Sequence, residues 1–208
     1  MVLMNSHPKN SGPMSLPRAI LFDMDGTLTI PNLDFPAIKK EMGVGPGPIL
    51  EALSQLDDLR RKEAEVILHR IEDISAKNSK LNKGCLDLLH FLESAALPTA
   101  LITRNSRAST QTVFQLHNLS MNLIITREDG PFKPSPIPLQ NACQQLGVKH
   151  DEVWMVGDGQ HDIEAAHAAG IRSVWISHRQ PKNFAADPWL TVADLCELTM
   201  ILKQLHNS

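Results

Sequence analysis

From residue 82 onward the sequence alternates short apolar runs with helix-like stretches, and this alternation limits the fold more than any other feature. Residues 99–103, 123–126, 153–158 and 173–176 read as strands. Each is a continuous apolar run, the pattern of a strand buried on both faces. An earlier run, 19–23, reads the same way. Residues 86–95, 107–116, 137–146, 163–169 and 193–205 read as helices, the fourth stopping at Gly170. Strands alternating with helices imply parallel pairing. The predicted class is α/β: a Rossmann-like parallel sheet with helices on both faces.

Residues 31–81 break this rhythm. They hold helical patterns and no buried strand. Asp34-Phe35-Pro36 marks a helix start. Gly43, Gly45, Pro46, Gly47 and Pro48 then interrupt the chain, and 49–56 form a second predicted helix. A long charged helix covers 57–77, with Ala64, Ile67, Leu68, Ile71 and Ile74 on one apolar stripe. The expected organisation is a tail over 1–17, an α/β core over 18–30 and 82–208, and an all-helical insert over 31–81.

Composition narrows the function. Twenty Lys+Arg against 23 Asp+Glu give a net charge of −3, which disfavours binding nucleic acid through phosphate neutralisation. No run of about 18 apolar residues suggests a spanning helix, so no membrane partner is expected. Cys85, Cys143 and Cys196 are odd in number and far apart. They read as buried apolar side chains in a reducing compartment. The first 17 residues lack the apolar core of a secretory signal and only faintly resemble an organelle transit peptide. A cytoplasmic protein, monomeric or homodimeric, is the expectation.

In open α/β sheets, ligands bind beyond the carboxyl ends of the strands. Polar residues stand at those ends. The first predicted strand ends at Asp23, with Asp25 just beyond; the second ends at Thr103; the fourth ends at Asp158, with Asp162 four residues on. Lys133 precedes a helix in Lys133-Pro134-Ser135-Pro136. Several carboxylates in one place repel unless a cation joins them. Oxygen donors without clustered Cys or His indicate a hard cation, and Mg²⁺ fits best. A hydroxyl, a lysine and glycine-rich amides complement a phosphate. One carboxylate can then act as nucleophile and another as proton donor.

Four motifs complete this pattern. Asp23-Met24-Asp25-Gly26-Thr27-Leu28-Thr29, Ile102-Thr103, Lys133-Pro134-Ser135-Pro136 and Gly157-Asp158-Gly159-Gln160-His161-Asp162 occur in order at predicted strand ends. Together they resemble the four motifs of the haloacid-dehalogenase-like hydrolase superfamily, in the phosphoglycolate-phosphatase-like branch with a small helical C1-type cap. The resemblance spans residues 18 to 200. It implies that Asp23 attacks phosphorus and that Asp25 protonates the leaving alcohol, then activates water. It implies that Thr103 and Lys133 hold the phosphoryl group, with Gly26, Thr27 and Arg104 also lining the phosphate site. Mg²⁺ would be bound by Asp23, the backbone carbonyl of Asp25 and Asp158, with Asp162 supporting it through water. The insert would be the cap that closes over the site and selects the substrate.

The implied activity is Mg²⁺-dependent hydrolysis of a small phosphorylated metabolite through an aspartyl-phosphate. Asp25 suits an oxygen leaving group, where resemblance to true dehalogenases would require a tyrosine; the chain has none. A sugar phosphomutase and a non-catalytic binding protein are the rival readings. Arg104 has two: a contact to a substrate carboxylate or second phosphate, or a surface salt bridge. His161, inside the fourth motif, reads as a solvated loop residue.

Overall fold

The computed structural model describes residues 14–208, so residues 1–13 of the predicted tail lie outside the described residues. Six strands form one sheet: β1 (Ala19–Phe22), β2 (Thr99–Ile102), β3 (Leu123–Ile125), β4 (Val153–Gly157), β5 (Arg172–Ile176) and β6 (Leu190–Val192). Every neighbouring pair is parallel, in the order β3-β2-β1-β4-β5-β6. The helices are α1 (Phe35–Met42), α2 (Ile49–Leu53), α3 (Asp58–Lys77), α4 (Cys85–Ser94), α5 (Arg107–His117), α6 (Ile137–Leu146), α7 (Gln160–Ala169) and α8 (Leu195–His206). The predicted Rossmann-like α/β class is the observed one.

The chain divides into two compact units. The sheet unit holds the residues up to Ile30, Lys80–Arg104 and Ser120–Ser208; the helical unit holds Pro31–Ser79 and Asn105–Leu119. It therefore differs from the expected 31–81 insert in one element, because α5 belongs with the helices. Ser109, Thr110, Val113 and Phe114 of α5 are buried, and α5 packs along α3. Periodicity marks a helix and its apolar face but does not say which neighbour that face meets.

In the sheet unit, alternate side chains of the central strands serve opposite faces. Ala19, Leu21, Ala100, Ile102, Val153 and Met155 pack with Leu139, Ala142 and Cys143 of α6 and Ala165, Ala166 and Ala169 of α7. Three alanines let α7 approach the sheet closely. Ile20, Phe22, Leu101, Trp154 and Val156 point the other way and are also buried. Trp154 stacks obliquely on Trp189 at 5.1 Å. Burial pushes the Cys85 thiol up to about 12 and the Cys143 thiol up to about 11, as expected of inert packing residues.

Strand β6 was not anticipated. Its three residues are too few to show a pattern, and only pairing with β5, Val174 opposite Leu190, defines them. Helix α7 starts at Gln160, three residues before its predicted first turn. The Asp162 carboxylate accepts the Gly159 N–H (3.1 Å), which caps that turn. This places Asp162 inside the helix rather than in a loop.

The helical unit has its own core of Ile38, Met42, Ile49, Leu53, Ala64 and Leu68, flanked by Ile67 and Ile71. Asp34 caps α1 by accepting the Ala37 N–H, and Asp57 caps α3 by accepting the Arg60 N–H. Ile74 departs from the predicted stripe, being 51% exposed. The buried line of α3 runs instead through Ala64, Leu68, Glu72 and Ala76, a ridge of fourfold spacing. Beside it the Ser109 hydroxyl of α5 donates to the Glu72 carbonyl (3.5 Å). These burials set a contrast in stability. In urea denaturation, Leu139→Ala should cost about 2–5 kcal/mol, and Ile74→Ala should stay within about 0.5 kcal/mol.

Candidate active site

The strand order reverses between β1 and β4, so the crevice at their carboxyl ends is the place to expect a ligand. Asp23 follows β1 directly, and its amide donates to the Val156 carbonyl of β4 (2.9 Å). Asp158 follows β4, and its carbonyl accepts the Trp175 indole N–H of β5 (2.9 Å). Asp162 stands one turn into α7. These three carboxylates each bring an oxygen within 4.8 Å of the others, the one such acidic group among the described residues.

Lys133 joins two of them. Its ammonium donates to Asp23 Oδ1 and to Asp162 Oδ1, both at 2.7 Å, and the residue is 1% exposed. Burial alone would lower the Lys133 pKa; the Asp162 and Asp23 carboxylates outweigh it and hold the ammonium above its ordinary range. Asp23 feels the opposite balance. Burial drives its pKa well above the usual carboxylate range, Lys133 opposes this, and Asp162 and Asp158 add to the rise. Asp158 is pushed up to about 7, first by burial and then by the Asp162 charge. Three carboxylates facing one ammonium leave an excess of negative charge. That donor set suits a hard divalent cation. Asp162 already gives its oxygens to Lys133 and the Gly159 amide, so Asp23 and Asp158 are the better placed direct ligands.

Asp25 is not in this cluster. Its Oδ1 accepts the Thr29 hydroxyl (2.9 Å), and a short β-bridge links the two residues. Gly26, at φ +86°, adopts a backbone that side-chain-bearing residues avoid, and a Cβ there would collide with the Asp158 carboxylate. A Cβ at Gly157 would likewise overlap the Asp162 carboxylate. Gly26 and Thr27, expected to line the phosphate site, use their amides within the turn. The Gly26 N–H donates to the Thr29 carbonyl (2.8 Å) and the Thr27 N–H to the Met24 carbonyl (3.2 Å). Thr27 is buried, and its hydroxyl has no hydrogen-bond partner among the described residues. Both residues build the turn.

Thr103 ends β2 as expected; it is buried, and its amide donates to the Ile125 carbonyl (3.0 Å). The Arg104 guanidinium donates to the Lys133 carbonyl (2.5 Å) and lies 4.9 Å from the centre of the Phe132 ring. It therefore braces the segment that delivers Lys133, a role neither sequence reading of Arg104 contained. His161 sits in the first turn of α7 rather than in a loop. Three residues bearing on the site escaped the sequence reading. Thr29 contacts Asp25, and Asn82 and His178 both reach the Gly26 carbonyl, at 3.1 and 2.6 Å. Thr29 lies within the first motif and could have been singled out there. Asn82 and His178 carry no local signal, since both meet Gly26 only through the fold.

The model of the family described as haloacid dehalogenase-like hydrolase matches residues 30–176. The chain belongs to this family. Two relatives show how far the likeness extends. The phosphoglycolate phosphatase of Chromobacterium violaceum is 27% identical over 216 residues, covering 89% of this chain and 96% of that protein. The N-acetylmuramic acid 6-phosphate phosphatase of Pseudomonas putida is 30% identical over 200 residues, covering 82% and 90%. Among solved structures, a hydrolase from Pseudomonas syringae superposes with a TM-score of 0.76 at 20% identity, covering 90% of this chain and 98% of that one. This last likeness concerns the fold.

For this haloacid dehalogenase-like hydrolase the raised Asp158 pKa has a consequence for stability. Unfolded, the group titrates near the ordinary value of about 3.9; folded without metal, it does so at about 7. Between these values the folded chain holds a proton that the unfolded chain has released, so stability falls as pH rises through that window. In metal-free buffer, Asp158→Asn should therefore raise the thermal midpoint at pH 8, and by progressively less as pH falls towards 4. The gain should be roughly 2–4 °C per kcal/mol of burial cost and repulsion relieved, read by calorimetry.

Proposed function

We propose that this hydrolase is a Mg²⁺-dependent phosphatase of small phosphomonoesters that works through an aspartyl-phosphate on Asp23. The observation that carries the reading is the buried Lys133 ammonium held by Asp23 and Asp162 beside Asp158, at the switch point of the sheet. Lys133 fixes one Asp23 oxygen, which leaves the other to attack. Phosphoryl transfer depends on such positioning and on electrostatic stabilisation more than on covalent activation. Asp23 and Asp158, with the Asp25 carbonyl, would hold the cation, and Asp162 would orient the water around it. When bound, Mg²⁺ neutralises charge on the phosphoryl oxygens.

In the first step an Asp23 oxygen attacks phosphorus, the bond from phosphorus to the ester oxygen breaks, and Asp25 gives its proton to the departing alcohol. In the second, water attacks the phosphorus of the acyl phosphate while Asp25 takes up a proton. Inorganic phosphate leaves and the Asp23 carboxylate is restored. Lys133 balances negative charge in both steps, and Thr103 would bond a phosphoryl oxygen. Phosphatase names among the relatives support this reading. Both name monoesters that also carry a carboxylate, so such compounds head the candidate substrates. The helical unit is proposed as the element that selects among them.

The test is phosphate release from a broad panel of phosphomonoesters, with Mg²⁺ and with EDTA. Release with Mg²⁺ and none with EDTA is the expected result; no release from any member would move the reading to a phosphomutase or a binding protein. Asp23→Asn should abolish turnover, a loss beyond about 10³-fold, while circular dichroism stays unchanged. Retained turnover would remove Asp23 as the nucleophile.

A further inference from the structure

The loop that carries Asp25 is held by a residue far along the chain. The Asn82 side-chain amide donates to the carbonyls of Gly26 (3.1 Å), Thr27 (2.8 Å) and Thr29 (3.0 Å). Two N–H groups thus serve three acceptors. The Asn82 backbone N–H adds a bond to the Leu28 carbonyl (2.8 Å), and the Ile30 N–H donates to the Lys80 carbonyl (2.8 Å). A bridge between Thr29 and Leu81 lies between these bonds. Within the loop, the Leu28 and Thr29 amides close on the Met24 carbonyl (2.9 and 3.0 Å). The four residues after Asp25 are thereby fixed on both edges.

Thr29 passes that fixity to the carboxyl group. It is 1% exposed, and its hydroxyl lies 2.9 Å from Asp25 Oδ1 and 3.2 Å from the Met24 carbonyl. A hydroxyl has one proton and two lone pairs. It can donate to an Asp25 carboxylate. It can equally donate to Oδ1 of an Asp25 carboxylic acid, which leaves the proton on the other oxygen for the leaving group. The contact therefore survives the loss and gain of a proton during turnover. A valine would fill the same space and do neither.

We propose that Thr29 and Asn82 are positioning residues for Asp25: Asn82 holds the backbone of its loop, and Thr29 aims its carboxyl at the leaving oxygen. The proposal rests on the reading of Asp25 as the proton donor. A misplaced donor harms most the leaving groups that need the proton most. An alkyl alcohol cannot leave without one, whereas p-nitrophenol can.

The experiment is a leaving-group series, from p-nitrophenyl phosphate through phenyl to alkyl phosphates, read as kcat/KM in the presence of Mg²⁺. That ratio covers events up to departure of the alcohol and omits the later hydrolysis of the aspartyl-phosphate. Thr29→Val and Asn82→Leu should lose about tenfold or more on alkyl esters, part of the roughly 10²–10⁴ that a positioned acid supplies. On p-nitrophenyl phosphate they should lose no more than about threefold. Thr29→Ser, which keeps the hydroxyl, should restore the alkyl rate. An equal loss across the series, or none, in Thr29→Val overturns the proposal, and this variant keeps the test open should Asn82→Leu fail to fold. Asp25→Asn separates the two levels. If Asp25→Asn steepens the series and Thr29→Val does not, the positioning role fails alone. If Asp25→Asn leaves the series flat, the proton-donor reading fails first.

Discussion

One buried ammonium organises the site. Lys133 is among the largest fully buried side chains of the chain, and a lone ammonium in that setting would be strongly destabilising. It is tolerated because Asp23 and Asp162 each accept from it at 2.7 Å. The converse also holds. Asp23, Asp158 and Asp162 crowd together at the ends of β1 and β4, and their mutual repulsion would be worse without the lysine. Removing Lys133 leaves buried carboxylates without their balance, and removing Asp23 or Asp162 takes away one of the two partners of the ammonium. Lys133, Asp23 and Asp162 thus tolerate burial only together, and Asp158 adds negative charge that suits a cation.

Much of the surrounding backbone exists to let these groups meet. Gly26 and Gly157 leave the space that the Asp158 and Asp162 carboxylates occupy. Arg104 grips the Lys133 carbonyl and stacks on Phe132, which fixes the segment behind the ammonium. The Asp25 loop is treated differently. Its amides are consumed within the turn, so its outward carbonyls need donors, and Asn82 and His178 bring them from distant parts of the chain. Asp23 is held by charge, Asp25 by hydrogen bonds.

The parts of the fold legible in the sequence were those encoded by contiguous residues. Strands β1 to β5 were legible as apolar runs, and Asp23, Thr103 and Asp158 follow β1, β2 and β4 at their carboxyl ends. Elements whose identity lies in their neighbours were less visible. Strand β6 is three residues long and is defined by β5, and α5 belongs to the helical unit because of α3. Ile74 fits the helical period yet is half exposed, since period alone does not say where a buried face ends.

By itself, the sequence determined the α/β class, the set of acids and the lysine that would converge, and the cation chemistry that their oxygen donors allow. Hydrophobic periodicity and residue type are local properties, and one strand direction in a parallel sheet brings all carboxyl ends to one edge. Only the tertiary structure decided how the charges divide among partners. It gave Asp162 to Lys133 and the Gly159 amide, set Thr27 into the turn, and assigned Arg104 to a backbone carbonyl. Those outcomes depend on distances of a few ångströms between residues up to 29 positions apart. Hydrogen bonds and ion pairs weaken over such distances, and no pattern along the chain encodes them.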